Sequence, residues 1–339
     1  MKTMLVIPDY KCGAYGWENE RSYFNNFSHR AEAKGWKLVH IGDQFSINEI
    51  DCVFAPNYAK YLDKVHNFNI YDKIIKNDRI KKISAIFEAP SRRPDLWDYT
   101  KLFDFCISFN KQPEKYCQCE HIESPYPYNF SENKCNYLEW NSRDTLVWVS
   151  SNNWFRGSDS LSQRRLQDFN YFSKRLGGKI ALYGRGWDIK NPSLYGPYPL
   201  TGIFHNKKNK EYYNDICRYW LGAVENKSET ISSYKFCFSY ENTDDYPGYV
   251  TEKVFDAWMA GCVPVYWGDW EFEKSYQDLL ICPRNLGIEK SVEIMRELDR
   301  EKAYFVYSKF KSRLNKGEFT RFSHEYFQDK ILVTAESLV

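Results

Sequence analysis

Short apolar runs alternate along this chain with longer stretches in which apolar residues recur every third or fourth position. Met4–Pro8, Lys37–Ile41, Asp51–Ala55, Ile83–Glu88 and Phe103–Phe109 read as strands, with helices over Glu18–Lys34 and Leu96–Leu102. The second half repeats the theme. Strands fall at Thr145–Val149, Lys179–Tyr183, Tyr234–Tyr240 and Val263–Trp267, and helices at Ser162–Leu176, Glu252–Ala260, Ser291–Leu298 and Lys302–Lys311. This alternation predicts parallel sheets covered by helices. Ser124–Asn141, with two prolines and several asparagines, breaks the pattern and reads as a linker. The chain of 339 residues suits two α/β domains. Their expected extents are residues 1–140 and 141–339.

Composition narrows the function classes. Charged residues make up 27% and the net charge is +2, which argues against a dedicated nucleic-acid binder. No stretch approaches the ~18 apolar residues of a membrane span. Peripheral membrane contact stays open. The apolar run Met4–Pro8 is shorter than the roughly 7–15 residues of a signal peptide. With Met1 as the native start, a cytoplasmic location is expected. Among ten cysteines, Cys52, Cys106, Cys237 and Cys262 sit in apolar segments, as buried thiols of a reduced compartment do. Cys117, Cys119 and His121 alternate on one face, but zinc sites use wider pairs and no second pair follows. No metal is expected. Aromatic residues reach 18%, which suits either ring-rich cores or a sugar-stacking cleft.

Candidate chemistry gathers after the strand Tyr234–Tyr240. Glu241, Asn242 and Thr243 follow its carboxyl end, where open α/β sheets bind ligands. After a polar loop with Asp244, Asp245, Pro247 and Gly248, Tyr249-Val-Thr-Glu-Lys253 opens a helix. Thr251 suits the N-cap and Glu252 the first turn. The free N–H groups of such a turn favour an anion such as a diphosphate, and Lys253 adds positive charge. Equally, strand, loop, capped helix and strand recur in every α/β protein, with Lys253 a solvated residue and the two aspartates loop formers. Ala257, Ala260 and Gly261 allow close packing on the sheet. Gly184-Arg-Gly186-Trp-Asp lacks the third glycine of a dinucleotide fingerprint. The six histidines are scattered and adjoin no nucleophile pattern, and Lys207-Lys208-x-Lys210 reads as solvated surface.

Tyr-Lys-Phe (234–236), Phe-x-x-Glu-Asn (238–242), Tyr-Val-Thr-Glu-Lys (249–253) and Ala-Gly-x-Val-Pro-Val (260–265) together resemble the family 10 glycosyltransferases, the α-1,3/4-fucosyltransferases. The loop between Asn242 and Tyr249 is one residue longer than the family usually has. The resemblance implies a GT-B fold, two Rossmann-like α/β domains facing a central cleft, with acceptor bound by the N-terminal domain and nucleotide sugar by the C-terminal one. It implies GDP-fucose as donor, inversion at the anomeric carbon and no obligatory metal. By the same likeness Asn242 and Tyr249 line the nucleotide diphosphate, Lys253 contacts it, and Glu252 accepts hydrogen bonds from donor hydroxyls. Ser162-Gln-Arg-Arg-Leu-x-x-Phe resembles the family helix whose arginine meets phosphate; Arg165 fits best, because Leu166 and Phe169 then take the apolar positions, and Arg164 is the alternative.

Inverting transfer also needs a base for the acceptor hydroxyl. Glu88 ends the apolar run Ile83–Phe87, where a carboxylate is exposed at the strand end or costly to bury. Phe-Glu-Ala-Pro-Ser (87–91) resembles the family's Glu-Ser-Pro motif, which implies Glu88 as base. The expected acceptor is a GlcNAc- or glucose-containing glycan, and the soluble bacterial members are the nearer likeness. Two readings stay open beside this one: a GT-B enzyme using another nucleotide sugar, and a glycan-binding protein with a degenerate site.

Overall fold

The computed structural model describes residues 1–9, 23–90, 93–110, 120–123, 127–131, 139–152, 159–187, 207–244 and 246–339, with backbone alone for 120–123 and 207–210. The chain forms two compact units: Met1–Asn129, Pro247–Tyr249 and Phe319–Val339 make the first, and Phe130–Tyr246 with Val250–Glu318 the second. The described elements begin with β1 (Lys2–Val6), α1 (Phe27–Ala33), β2 (Trp36–His40), β3 (Cys52–Pro56), α2 (Leu62–Val65), β4 (Lys81–Ile86), α3 (Pro94–Tyr99), β5 (Phe105–Ser108) and β6 (Glu120–Glu123). They continue with β7 (Asp144–Val149), α4 (Ser162–Arg175), β8 (Ile180–Tyr183), α5 (Lys207–Cys217), α6 (Lys227–Ser232), β9 (Tyr234–Phe238), α7 (Glu252–Met259) and β10 (Val263–Val265). The last are α8 (Trp270–Ser275), α9 (Pro283–Leu286), α10 (Ile288–Glu297), α11 (Arg300–Asn315) and α12 (His324–Leu338).

The first unit is built on a wholly parallel sheet in the order β2-β1-β3-β4-β5-β6. Successive side chains of a strand point to opposite faces. Met4, Val6, Phe54 and Ile83 therefore pack with α1 on one face, while Leu5, Val53 and Ala55 pack with Leu62, Ile70 and Ile74 on the other. A parallel sheet buried on both faces needs such continuous apolar runs. The second unit carries a parallel sheet in the order β10-β9-β7-β8. Leu146, Trp148, Phe236 and Phe238 meet Leu166, Phe169 and Phe172 of α4. On the opposite face Val147, Ala181 and Cys237 meet Ala257 and Ala260, the small residues that let α7 approach.

Strand order reverses twice, between β1 and β3 and between β7 and β9. Chain connections leave such switch points in opposite directions, which opens a crevice at the strands' carboxyl ends.

Two expectations need correction. The helix expected over Glu18–Lys34 begins only at Phe27, with residues 18–22 outside the described set. Asn26 has φ 59°, a left-handed conformation that a right-handed helix does not pass through. Residues 319–339, counted within 141–339 from sequence and not read there as a helix, carry α12 and belong to the first unit. Phe327, Ile331, Leu332 and Ala335 share the core of Met4 and Phe54, and Asp329 pairs with Arg30 at 2.7 Å. An apolar stripe announces a helix but not the sheet it covers. Of the expected linker, residues 124–126 and 132–138 lie outside the described residues, and the units divide at Asn129 and Phe130. Among the described residues no helix is long and apolar enough to cross a membrane.

Candidate active site

The β7/β9 switch point gathers most of the sequence-nominated side chains. The loop after β9 is locked to the start of α4: Leu161 N–H donates to the Asn242 carbonyl at 3.0 Å, and Asp244 N–H to that of Asp159 at 2.6 Å. Arg165, in the first turn of α4, is 4% exposed. Its guanidinium donates to Ser150 Oγ at 2.5 Å, just beyond β7, and to Asn242 Oδ1 at 3.1 Å, beyond β9. It lies 5.1 Å from the Trp148 ring. Arg165 thus spans the ends of both switch-point strands. Arg164, one helical step away, turns elsewhere. It is 42% exposed, pairs with Asp168 at 2.8 Å and lies 4.4 Å from the Trp267 ring.

The amino end of α7 is organised by Glu241, which the sequence placed at the strand end without a role. Glu241 is fully buried. Its carboxylate accepts from Thr251 N–H at 2.8 Å, from Thr251 Oγ1 at 2.7 Å and from Lys253 Nζ at 3.0 Å. Thr251 occupies the N-cap position, as expected, but its hydroxyl makes no capping bond. That hydroxyl donates to Glu241 and accepts from Lys253 Nζ at 2.7 Å. The first-turn N–H groups of α7 are therefore not closed by their own threonine, and such groups favour an anion. Glu252 lies 3.6 Å from Lys227 and 3.9 Å from Lys253. Desolvation would raise its carboxyl pKa, but the two ammonium groups outweigh it and bring it down to about 2. Lys227 is itself held at 2.5 Å by Asp256. Because Glu241 and Asn242 are consecutive, Lys253 and Arg165 are anchored on neighbouring residues. Two cationic side chains and an uncapped helix terminus at a strand switch point can hold a multiply charged anion. Asp244 accepts from Trp267 Nε1 at 2.7 Å and from Arg284 at 2.6 Å, while Asp245 lies outside the described residues.

Glu88 and Tyr249 belong to the first unit. Glu88 follows β4, and its carbonyl accepts from Trp97 Nε1 at 3.1 Å. The preceding Phe87 N–H donates to Asn57 Oδ1 at 3.1 Å. Asn57, at φ 47°, also donates from Nδ2 to Asp9 Oδ2 at 2.9 Å. Asp9 closes the carboxyl end of β1 and was not nominated from sequence. The strand-end rule that singled out Glu88 applies equally to Ile7-Pro8-Asp9. Burial raises the Asp9 carboxyl pKa against the pull of Asn57, and Oδ1 is buried without a hydrogen-bond partner among the described residues. Tyr249 is buried, its ring edge-on to Phe109 at 5.3 Å. Neighbouring Gly248, at φ 79°, approaches the Phe109 carbonyl so closely that a Cβ would stand 2.3 Å from its oxygen. Ser91, Cys117 and Cys119 lie outside the described residues, as does the His121 side chain.

Residues 203–331 match the family model for glycosyltransferase family 10 (fucosyltransferase), C-terminal part. That span includes Asn242, Tyr249, Glu252 and Lys253; Arg165 and Glu88 precede it. An alpha-(1,3)-fucosyltransferase of Helicobacter pylori, FucT, is 47% identical over 53 residues, 16% of this chain and 11% of that protein. The human 4-galactosyl-N-acetylglucosaminide 3-alpha-L-fucosyltransferase 9 is 26% identical over 182 residues, 53% of this chain and 38% of that one. The chain thus spans well under half the length of these curated relatives. A crystal structure of an alpha1,3-fucosyltransferase superposes with a TM-score of 0.52 at 16% identity, covering 90% of this chain and 81% of that one. The fold is the two-unit α/β fold of the GT-B glycosyltransferases.

Proposed function

We propose that this chain, whose residues 203–331 match the family model for glycosyltransferase family 10 (fucosyltransferase), C-terminal part, transfers L-fucose from GDP-β-L-fucose to a hydroxyl of a glycan acceptor, O3 of GlcNAc or glucose, with inversion to an α-fucoside. The second unit is the donor side and the first the acceptor side. The observation that carries the reading is Arg165 joined to Ser150 and Asn242 across the β7/β9 switch point, with Lys253 and the amino end of α7 anchored one residue away.

The chemistry follows from charge. As the bond between fucose C1 and the β-phosphate oxygen breaks, negative charge grows on GDP. Arg165, Lys253 and the α7 N–H groups stabilise it, so no metal is required. Asn242 lines the nucleotide diphosphate. Glu252, held ionised by Lys253 and Lys227, accepts hydrogen bonds from the fucose hydroxyls. Glu88 takes the proton of the acceptor hydroxyl as its oxygen bonds to C1. Soluble action in the cytoplasm on a protein-, lipid- or oligosaccharide-linked glycan belongs to the same proposal.

Mass spectrometry of products from GDP-fucose and a panel of GlcNAc- and glucose-terminated glycans tests this reading. A mass gain of one deoxyhexose on an acceptor is expected. GDP-mannose and UDP-sugars run in parallel identify a different donor, and calorimetry that finds no GDP binding at millimolar concentration would overturn a transferase role.

A further inference from the structure

We propose that Glu241 is a positioning residue that makes the amino end of α7 receptive to the donor diphosphate. The inference rests on the donor-site reading above. A buried carboxylate is costly unless its lone pairs are filled, and here Thr251 N–H, Thr251 Oγ1 and Lys253 Nζ fill them at 2.7–3.0 Å. Tyr266 OH stands 3.5 Å away, behind it. The cradle has no slack, since a Cβ on Gly268 would lie 2.7 Å from Glu241 Cγ.

Two consequences follow. A threonine at an N-cap ordinarily turns its hydroxyl oxygen onto the helix N–H groups. Glu241 draws that hydroxyl the other way, so the threonine does not close the turn. Glu241 and Thr251 also occupy two of the three ammonium hydrogens of Lys253, which sets the direction left for a phosphate oxygen. Lys253 is then a preoriented donor rather than a mobile surface charge; its side chain is only 17% exposed. Glu241 touches neither phosphate nor sugar in this arrangement. It acts through Thr251 and Lys253.

The test is a double-variant cycle on GDP affinity, read by calorimetry, with guanosine as the ligand that lacks phosphate. Glu241→Gln should weaken GDP about tenfold, the loss of one charge-assisted contact, and leave guanosine within about twofold. Lys253→Met should do the same, and Glu241→Gln should add less in the Lys253→Met background than it costs alone, since only the route through Thr251 is left. Should Glu241→Gln fail to fold, the double variant, which buries neither charge, still compares with Lys253→Met alone. GDP affinity unchanged in Glu241→Gln, equal weakening of guanosine, or additive losses in the double variant would each overturn the assignment. If the unaltered protein binds no GDP, the donor-site reading itself fails, and the two failures are distinct.

Discussion

Replacing Arg165 by methionine separates a phosphate-binding arginine from a structural one. The side chain is 4% exposed and donates hydrogen bonds to Ser150 and Asn242. Each hydrogen bond from a charged donor contributes about 1.5–3 kcal/mol, but methionine also relieves the burial of a charge. The net loss of folding stability should then be about 1–3 kcal/mol. A forked guanidinium–phosphate contact removed from the bound state should cost about 2–3 kcal/mol more, roughly 30- to 150-fold in GDP affinity. Arg165→Lys keeps the charge but cannot reach Ser150 and Asn242 together, so a loss of about tenfold is expected. The assay is calorimetric titration of GDP, with guanosine as control and melting curves to verify the fold. Arg164→Met is the counterpart. It breaks a half-exposed pair with Asp168, whose carboxyl pKa is raised by burial, and should change GDP affinity by less than about threefold. GDP affinity within twofold of the unaltered protein in Arg165→Met would refute the reasoning, as would a larger effect at Arg164.

Glu88→Gln should lower turnover by about 10²–10⁴-fold with GDP affinity kept, because it removes the base and no donor contact; near-normal turnover in a steady-state assay would exclude Glu88. Glu252→Gln should raise the KM for GDP-fucose about tenfold while the calorimetric affinity for GDP, which has no sugar, stays level; parallel losses of both would remove Glu252 from the sugar site. Burial, only partly countered by Glu325, lowers the His324 pKa from 6.5 to about 4. The unfolded chain therefore takes up a proton below pH 6.5 that the folded chain resists, so stability is level above pH 6.5 and falls toward pH 4. The slope reaches at most about 1.4 kcal/mol per pH unit. Denaturant melts of the unaltered protein and His324→Gln at several pH values should show this slope in the first and not the second.

Much of the site was legible because ligand sites in parallel sheets follow position along the strand. The end of β9 nominated Asn242, and the end of β4 nominated Glu88. Thr251 was found as the N-cap from its place before Glu252. Its hydroxyl, however, serves Glu241, a preference set by a carboxylate ten residues earlier that the fold brings to 2.7 Å. Glu241 was named at the same strand end as Asn242 but given no role, since a glutamate after a strand reads as solvent-facing until burial is known. Asp9 was missed although the strand-end rule applied to it. Tyr249 was grouped with Asn242 from sequence, whereas its ring packs against Phe109 in the first unit.

Periodicity and local chemistry belong to the sequence alone. The apolar runs of β1, β3, β7 and β9 specify strands buried on both faces, and the motif around 238–253 carries the family likeness, because both depend on residues close along the chain. Three things waited for the tertiary structure: which of Arg164 and Arg165 meets the strand ends, which unit the last helix completes, and what holds Lys253. Each is a partnership between segments far apart in sequence. A helical step of about 100° separates the two arginines by direction, not by residue type. The apolar face of α12 fits any sheet of matching shape until Met4 and Phe54 are placed beside it. A buried carboxylate and an ammonium group become a pair only once the fold has excluded water around them.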